Sequence, residues 1–249
     1  MKNKNNQLKI YGIRPIIELL NSEKEIQKIY IQKKLQNESI QEIEKKAKNK
    51  NIEIKYVPIQ KLNKLTRKNH QGVVAFCSPI SFVVFENYLP NIYEKGEVPV
   101  FFALDRITDV RNFGSICRTA KVLGAHGIII PKKKSAEINE ISIKTSSGAL
   151  TKIPICRTEN LERTLVFAKN SGLKICTLSE HAQNNIFETN LKEPSVLVLG
   201  SEKEGVSNKI INISNELIKI PTNGDIISLN VSVAAGIILS ELQRQRNLN

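Results

Sequence analysis

The spacing of apolar residues predicts a first block of strands alternating with helices. In "GIRPIIELLNSE" the apolar residues recur three and four positions apart, which is typical of an amphipathic helix, and Pro15 falls in its first turn, where no backbone N–H is needed. "IQKIYIQ" alternates like a half-buried strand, and "GVVAFC" is a short apolar run typical of a buried strand. This alternation predicts a small layered α/β domain over residues 1–78.

A second, more apolar block predicts a larger α/β domain over residues 99–249. "VFFALD", "GIIIP", "LKICTLS" and "SVLVLG" predict strands, and the stretches between them contain helical patterns closed by glycine. Strands that are apolar along nearly their whole length are buried on both faces, as in a parallel sheet. Residues 79–98 contain Pro79, Pro90 and Gly96 and have no clear period, so we expect them to be a linker.

The charge of the chain indicates a polyanionic partner. The 249 residues include 37 Lys and Arg against 24 Asp and Glu, a formal net charge of +13. Residues 1–98 hold 18 of the basic and 10 of the acidic residues, so the excess is densest in the first domain. RNA or DNA is the simplest partner for such a surface, and the alternative is a lysine-rich composition that only keeps the protein in solution.

Several classes of protein are disfavoured by the same sequence. No apolar run reaches the ~18 residues that a membrane span needs, and the N-terminus has charge but no apolar signal core, so we expect a cytoplasmic protein. The four cysteines form no C-x-x-C pair and lie inside apolar runs, which favours buried, reduced thiols. The three histidines are scattered, so we expect no metal site.

Three loops that follow predicted strands carry unusual chemistry, and the first is "DRITDVRNFGSICRTA". Ligands of open parallel sheets bind beyond the carboxyl ends of the strands. Here Asn112 and Gly114 follow the strand, and a helix that we expect to begin near Gly114 carries Arg118 about one turn in. An arginine in that position suits a phosphate or an RNA backbone oxygen. The alternative is a surface arginine on an amphipathic helix.

The second and third loops are "LVLGSEKEGVS" and "IKIPTNGDIISLNVSVAAG". In the second, Gly200 and Gly205 bracket a tight loop, and we expect Glu202 to pair with Arg118; the alternative is an ordinary strand-to-helix turn with solvated carboxylates. In the third, Ser228 and Asn230 precede a helix that begins with small residues, where amides and hydroxyls can bind an anion or a hydroxyl.

Common catalytic motifs are missing from the three loops. The sequence has neither the G-x-G-x-x-G fingerprint of a Rossmann site nor the GK[ST] of a P-loop, and the histidines lie outside all three loops, which leaves no Ser/His/Asp set. If the protein is an enzyme, the pattern favours group transfer to a nucleic acid with a bound small cofactor.

The three loops together resemble the three signature motifs of the SpoU family, in the SPOUT class of S-adenosylmethionine-dependent RNA 2′-O-methyltransferases. "YGIRPIIELL" and "HQGVVA" resemble the substrate-binding domain of the bacterial guanosine-2′-O-methyltransferases that act on large-subunit (23S) ribosomal RNA. The resemblance implies an α/β fold: a C-terminal SPOUT α/β-knot domain with a deep trefoil knot, and an N-terminal domain like ribosomal protein L30e. Knots are rare exceptions to the usual connection rules.

The resemblance also implies a cofactor, an assembly and a set of site residues. S-adenosylmethionine would lie in the knot, held by backbone groups, and the protein would be a homodimer in which the partner subunit helps to complete each active site. The implied cofactor-binding residues are Leu178, Gly200, Ile220 and Leu229, and the implied catalytic residues are Asn112, Arg118, Glu202, Ser228 and Asn230. Arg118 is the central one, as a clamp on the adjacent phosphate and a stabiliser of the developing alkoxide; the alternative is a deprotonated arginine that acts as the base. The alternatives are a transfer-RNA 2′-O-methyltransferase and a non-catalytic RNA-binding or ribosome-assembly protein.

Overall fold

The computed structural model describes residues 9–22, 24–223 and 228–247. They form two compact units, divided between Ser81 and Phe82. In this part of the chain no helix is long and apolar enough to cross a membrane. The same residues contain no group of three or more His, Cys, Asp or Glu side chains placed to hold a metal ion.

The N-terminal unit is a mixed sheet with helices on both faces. Its elements are β1 (Lys9–Tyr11), α1 (Ile13–Asn21), β2 (Ile26–Gln32), α2 (Glu38–Asn49), β3 (Glu53–Val57), α3 (Ile59–Leu65) and β4 (Val73–Cys77). The strand order is β1-β4-β2-β3, with β4 antiparallel to β1 and β2, and β2 parallel to β3. One core lies between the sheet and the helices α1 and α2, and Leu62 of α3 covers Tyr30 and Phe76 on the other face.

The C-terminal unit is built on a parallel sheet. Its elements are α4 (Phe85–Glu94), β5 (Val100–Leu104), α5 (Val110–Val122), β6 (Gly127–Pro131), α6 (Glu140–Thr145), a 3₁₀ turn (Ala149–Thr151), β7 (Ile155–Thr158), α7 (Leu161–Asn170), β8 (Lys174–Leu178), β9 (Asn184–Asn185), β10 (Ser195–Leu199), α8 (Asn208–Ile213), β11 (Glu216–Lys219) and α9 (Val231–Asn247). The order is β7-β6-β5-β10-β8-β11-β9, and every pairing is parallel. Every residue of β5 and β10 is buried, as their apolar runs predict.

The strand order brings the three predicted loops to one edge of this sheet. β10 lies between β5 and β8, and β11 lies on the far side of β8, so the carboxyl ends of these four strands are neighbours. The last helix, α9, packs against α5, which follows β5. In a knotted fold, the chain segment that passes through the loop is the one that joins β11 to α9, and this segment includes residues 224–227. These residues, with part of the turn expected at 222–225, lie outside the described residues.

The expected linker over residues 79–98 is wrong for most of its length. Phe85–Glu94 form helix α4, whose Phe85, Leu89 and Ile92 are buried in the core of the C-terminal unit. These three residues are spaced at helical intervals, but Pro90 lies among them and makes the stretch resemble a loop. A proline inside a helix costs one backbone hydrogen bond, and the burial of three large side chains offsets that loss.

The cysteines behave as the sequence predicts. All four are buried and free. Burial raises the pKa of the Cys156 and Cys176 thiols to about 12, so both are protonated at neutral pH. They serve as small apolar core residues.

Candidate active site

The first loop differs from its prediction in where the helix begins. α5 starts at Val110, because the carboxylate of Asp109 caps it and accepts the backbone N–H groups of Arg111 and Asn112, each at 2.8 Å. Asn112 and Gly114 therefore lie inside the helix and not before it. A Cβ atom on Gly114 would lie 2.7 Å from the carbonyl oxygen of Ser142, so this glycine allows α6 to approach α5 closely.

Arg118 lies apart from the other predicted catalytic residues of this chain. It is exposed on α5, eight residues from the start of the helix. Asn112 is six positions earlier, which places the two side chains about 120° apart around the helix and about 9 Å apart along it. Among the described residues, Arg118 makes no hydrogen bond or ion pair to Glu202, so the expected pairing of these two side chains is wrong within one chain.

The second loop is a tight ring of backbone. Ser201 and Gly205 exchange two backbone hydrogen bonds, of 3.1 and 2.9 Å, and Gly205 has a φ of 62°. A Cβ atom on Gly200 would lie less than 3.0 Å from the backbone of Gly205 and Val206, closer than real Cβ contacts. The two bracketing glycines thus have distinct roles: one permits close approach, and the other supplies a left-handed turn.

Two residues that follow β5 hold this ring in place. The carboxylate of Asp105 accepts the backbone N–H of Ser207 at 2.7 Å. The guanidinium of Arg106, a residue with a left-handed φ of 59°, donates to the carboxylate of Glu204 and to the carbonyl oxygen of Gly205 at 3.1 Å. Sequence reasoning gave these residues no role. The sequence showed only that both residues follow a buried strand. Their contacts depend on β5 lying beside β10, and the sequence of neither strand shows that the two are neighbours.

Three predicted catalytic residues, one from each loop, are joined by hydrogen bonds. The side-chain amides of Asn112 and Asn230 both donate to Oε1 of Glu202, at 2.8 and 2.9 Å. The amide of Asn230 also donates to Oδ1 of Asn112 at 3.1 Å. These bonds link positions 90 and 118 residues apart along the chain. We call Asn112, Glu202 and Asn230 the amide–carboxylate cluster.

The third loop ends at the cap of the last helix. Oδ1 of Asn230 accepts the backbone N–H of Ser232 at 3.0 Å and the Ser232 hydroxyl at 2.6 Å, which fixes the orientation of the Asn230 amide. Ser228 and Leu229 are exposed, and Ser228 makes no hydrogen bond to the cluster in the described part of the chain. In α9, Gly236 faces Thr119 of α5, where an added Cβ atom would make an ordinary contact at 3.9 Å.

Asn112 and Glu202 of the cluster line a pocket of about 400 Å³. The pocket is lined by residues of the loops after β5, β6 and β10, by Asn112 of α5 and by the first residue of α9: Arg106, Ile107, Thr108, Asp109, Asn112, Lys134, Ser201, Glu202, Lys203, Glu204 and Val231. Sequence reasoning missed Lys134, which belongs to a loop that carries no recognisable motif. The pocket combines oriented amides, carboxylates and cations, which suits a ribose with its phosphates.

Two family models together match most of the chain. One, described as the SpoU rRNA Methylase family, matches residues 99–240, and one, described as RNA 2′-O ribose methyltransferase substrate binding, matches residues 9–83. The chain belongs to the SpoU methylase family. It is therefore an S-adenosylmethionine-dependent RNA methyltransferase, which confirms the predicted family and cofactor and, of the predicted enzyme class, the S-adenosylmethionine-dependent methylation of RNA.

Relatives of this SpoU methylase match it over nearly its whole length. YacO of Bacillus subtilis, which carries a TrmH family tRNA/rRNA methyltransferase name, is 35% identical over 96% of each chain. The 23S rRNA (guanosine-2′-O-)-methyltransferase RlmB of Neisseria meningitidis is 35% identical, over 98% of this chain and 97% of that protein. The crystal structure of the SpoU methyltransferase AviRb from Streptomyces viridochromogenes, in complex with AdoMet, has a TM-score of 0.62 over 98% of this chain and 92% of that chain, at 24% identity. This likeness confirms the predicted SPOUT fold.

The geometry of the strand ends fits the cofactor of a SpoU methylase. Leu178, Gly200 and Ile220 lie at or just beyond the carboxyl ends of β8, β10 and β11, which are consecutive in the sheet. The absent side chain of Gly200 allows the ring after β10 to fold over this edge, so backbone groups of three strand ends are available to one ligand. Leu229, 41% exposed, lies just before the cluster and offers an apolar surface beside it.

Proposed function

We propose that this SpoU methylase transfers a methyl group from S-adenosylmethionine to the ribose 2′-hydroxyl of a guanosine in 23S ribosomal RNA, in the peptidyl-transferase region. Hydrogen bonds join Asn112, Glu202 and Asn230, and the first two line one pocket; this arrangement is the observation that carries the proposal. The target is supported by the 35% identity to RlmB, whose name gives that specificity, over nearly the full length of both chains.

The amide–carboxylate cluster orients the reacting hydroxyl. The cofactor supplies a methyl group already activated on a sulfonium, so the protein must mainly position the ribose and hold the hydroxyl proton. Glu202 uses Oε1 for the two amides, and its Oε2 accepts no hydrogen bond from the described residues, which leaves it to accept the 2′-O–H. Asn112 has a second amide hydrogen for the ribose oxygen. Ser228, two residues before Asn230, offers its hydroxyl as a further hydrogen-bond partner of the 2′-hydroxyl.

We propose that Arg118 stabilises negative charge and does not act as a base. A guanidinium is a planar cation with several N–H donors, which suits the adjacent phosphate or the developing alkoxide. Because Arg118 is exposed and turned away from the cluster of its own chain, we place it in the active site of the partner subunit. Leu178, Gly200, Ile220 and Leu229 hold the cofactor.

A homodimer agrees with an apolar surface on α9. Phe187 and Val233 are 58% and 49% exposed, and together with Gly236 and Ile237 they line an open groove of about 470 Å³. Large apolar side chains grouped on one face favour a protein partner. We propose that a second copy of this chain occupies the groove. The helix that lines the groove begins next to Asn230, so an interface there brings two active sites close together.

Mapping of 2′-O-methyl groups tests the proposed substrate. Ribosomal and transfer RNA from cells with and without the protein are compared by a method that reports ribose methylation at each nucleotide. We expect one guanosine of 23S rRNA, near the peptidyl-transferase centre, to lose its methyl group in the deletion strain and to regain it with purified protein and S-adenosylmethionine. Loss of a methyl group from transfer RNA alone would overturn the ribosomal assignment. That second candidate is favoured by the tRNA/rRNA name of the Bacillus relative.

One edge of the N-terminal sheet is suited to an RNA backbone. The carboxyl ends of β1, β2 and β3 and the start of β4 share this edge, because β4 is antiparallel to its neighbours. Segments that begin or end there carry the exposed cations Arg14, Lys33, Lys34, Lys61, Lys64, Arg67 and Lys68. In the described part of the chain none of the seven forms an ion pair, whereas Lys46 and Lys55, away from this edge, pair with Glu42 and Glu53.

Removing positive charge from this edge is expected to weaken RNA binding and to make the binding less dependent on salt concentration. Each lost phosphate contact lowers the slope of log Kd against log salt by about 0.7 to 0.9. The full-length double variant Lys33→Gln/Arg67→Gln should therefore lose 1 to 2 units of slope for 23S rRNA, measured by filter binding at several salt concentrations. The control Lys24→Gln/Lys48→Gln removes the same charge at the opposite edge and should leave the slope unchanged. Equal slopes for the two variants would show that this edge is not the RNA surface.

A further inference from the structure

Three consecutive lysines after β6 have three different surroundings. Lys132 is paired with Glu159, at 2.6 Å between Nζ and the carboxylate. Lys133 is exposed and does not line the pocket, whereas its exposed neighbour Lys134 lines the pocket together with Asn112 and Glu202. Among the described residues, neither Lys133 nor Lys134 has a carboxylate partner.

The carboxylates of the pocket and Arg106 already have partners within the chain. Asp109 accepts two backbone N–H groups at the cap of α5, and the carboxylate of Glu204 binds the guanidinium of Arg106. Glu202 accepts the two amides of the cluster. In the described part of the chain, the lining cations without an ion pair are Lys134 and Lys203. These two lysines can therefore bind an anionic group of the ligand, and a ribose in RNA carries its negative charge on the phosphates.

The backbone at Lys134 favours this residue over Lys203. Its φ of 58° is left-handed, a conformation that few residues other than glycine adopt and that costs about 1 kcal/mol or more. Lys134 also lies on the β6 side of the pocket, whereas Glu202 and Lys203 belong to the same short ring after β10. A cation on the β6 side can bind a phosphate while the cluster holds the hydroxyl.

We propose that Lys134 binds the phosphate on the 3′-oxygen of the target nucleotide and so positions its ribose for methylation. The 2′-hydroxyl and the 3′-phosphate are on adjacent carbons, so a pocket that holds the first brings the second close to its lining. This inference rests on the proposed function and adds a positioning residue to it.

Substitutions along the three lysines test the inference in the full-length protein. Lys134→Asn removes the charge and keeps a residue that tolerates a left-handed backbone, and Lys134→Arg keeps the charge. Lys133→Asn is the matched control, one residue away with the same change in net charge. Each variant is assayed for filter binding to 23S rRNA at several salt concentrations, for KM and kcat of methyl transfer to that RNA, and for S-adenosylmethionine affinity by calorimetry.

For Lys134→Asn we expect KM for RNA to rise about tenfold, the salt slope to fall by about 1 and cofactor affinity to stay within about twofold. Lys134→Arg and Lys133→Asn should both stay within about twofold of the wild type. Equal effects of Lys133→Asn and Lys134→Asn, or an unchanged slope in Lys134→Asn, would overturn the inference. Absence of methyl transfer by the wild-type protein would instead contradict the proposed substrate, and the binding measurements would still decide the role of Lys134.

Discussion

Arg118→Ala is expected to abolish methyl transfer to RNA while leaving S-adenosylmethionine affinity within about twofold. The guanidinium is exposed and makes no hydrogen bond to the cofactor-binding strand ends among the described residues, so its loss should not disturb the cofactor site. It would remove the cation that stabilises charge during transfer, and removing one such group typically costs a factor of about 100 to 1,000. Incorporation of a tritiated methyl group measures the first effect, and calorimetry measures the second.

Two companion variants make this result specific. Arg111 is an exposed arginine on the same helix, and Arg111→Ala should keep at least about half of the activity. Arg118→Lys keeps the charge but loses the planar fork of donors, so it should recover only part of the rate. Substantial turnover by Arg118→Ala, or equal losses in Arg111→Ala, would remove Arg118 from the mechanism.

Mixed dimers test whether Arg118 serves the partner's active site. Subunits that carry Arg118→Ala are combined with subunits that carry Glu202→Ala, each inactive by itself. If Arg118 acts across the interface, one of the two sites in a mixed dimer has both residues, so purified mixed dimers should regain about half of the wild-type activity and a random mixture about a quarter. If Arg118 acts within its own chain, no site is complete and the mixture stays inactive.

Most strands of both units could be predicted from the sequence because burial leaves a local pattern, whereas the short strands β1, β7 and β9 were not predicted. "IQKIYIQ" and "SVLVL" coincide with β2 and β10, and the tight loop after β10 follows from its two glycines. The first residue of a helix was predicted less accurately where a capping side chain determines it. Asp109 starts α5 four residues earlier than expected, and this shift places Arg118 about two turns into the helix instead of about one.

The contacts between the loops could not be predicted from local patterns, because they depend on strand order. β10 lies beside β5, although almost 100 residues separate them, and this adjacency allows Arg106 to bind Glu204 and Asn112 to bind Glu202. The family resemblance pointed to Asn112 and Glu202, but the loop sequence alone predicted Arg118 as the partner of Glu202. In the folded chain, Glu202 is held by two neutral amides instead.

Gly200→Ala is expected to abolish both S-adenosylmethionine binding and methyl transfer. The added Cβ atom would lie less than 3.0 Å from the backbone of Gly205 and Val206, and no flexible side chain is there to move aside. The ring after β10 would have to open. Opening would displace Glu202, two residues further on, from Asn112 and Asn230.

Gly205→Ala provides the matched control in the same ring. Its added methyl group would meet no atom within 4 Å, so the cost is only that of a left-handed residue, about 1 to 2 kcal/mol. We therefore expect binding to weaken by more than about 100-fold in Gly200→Ala and by about tenfold or less in Gly205→Ala, measured by calorimetry. Thermal unfolding of both variants should be cooperative, because the sheet core does not include the ring. Cofactor binding by Gly200→Ala at wild-type affinity would show that the ring tolerates a Cβ atom at this position. The close backbone packing at Gly200 would then not explain why Glu202 lies within hydrogen-bond distance of the two amides.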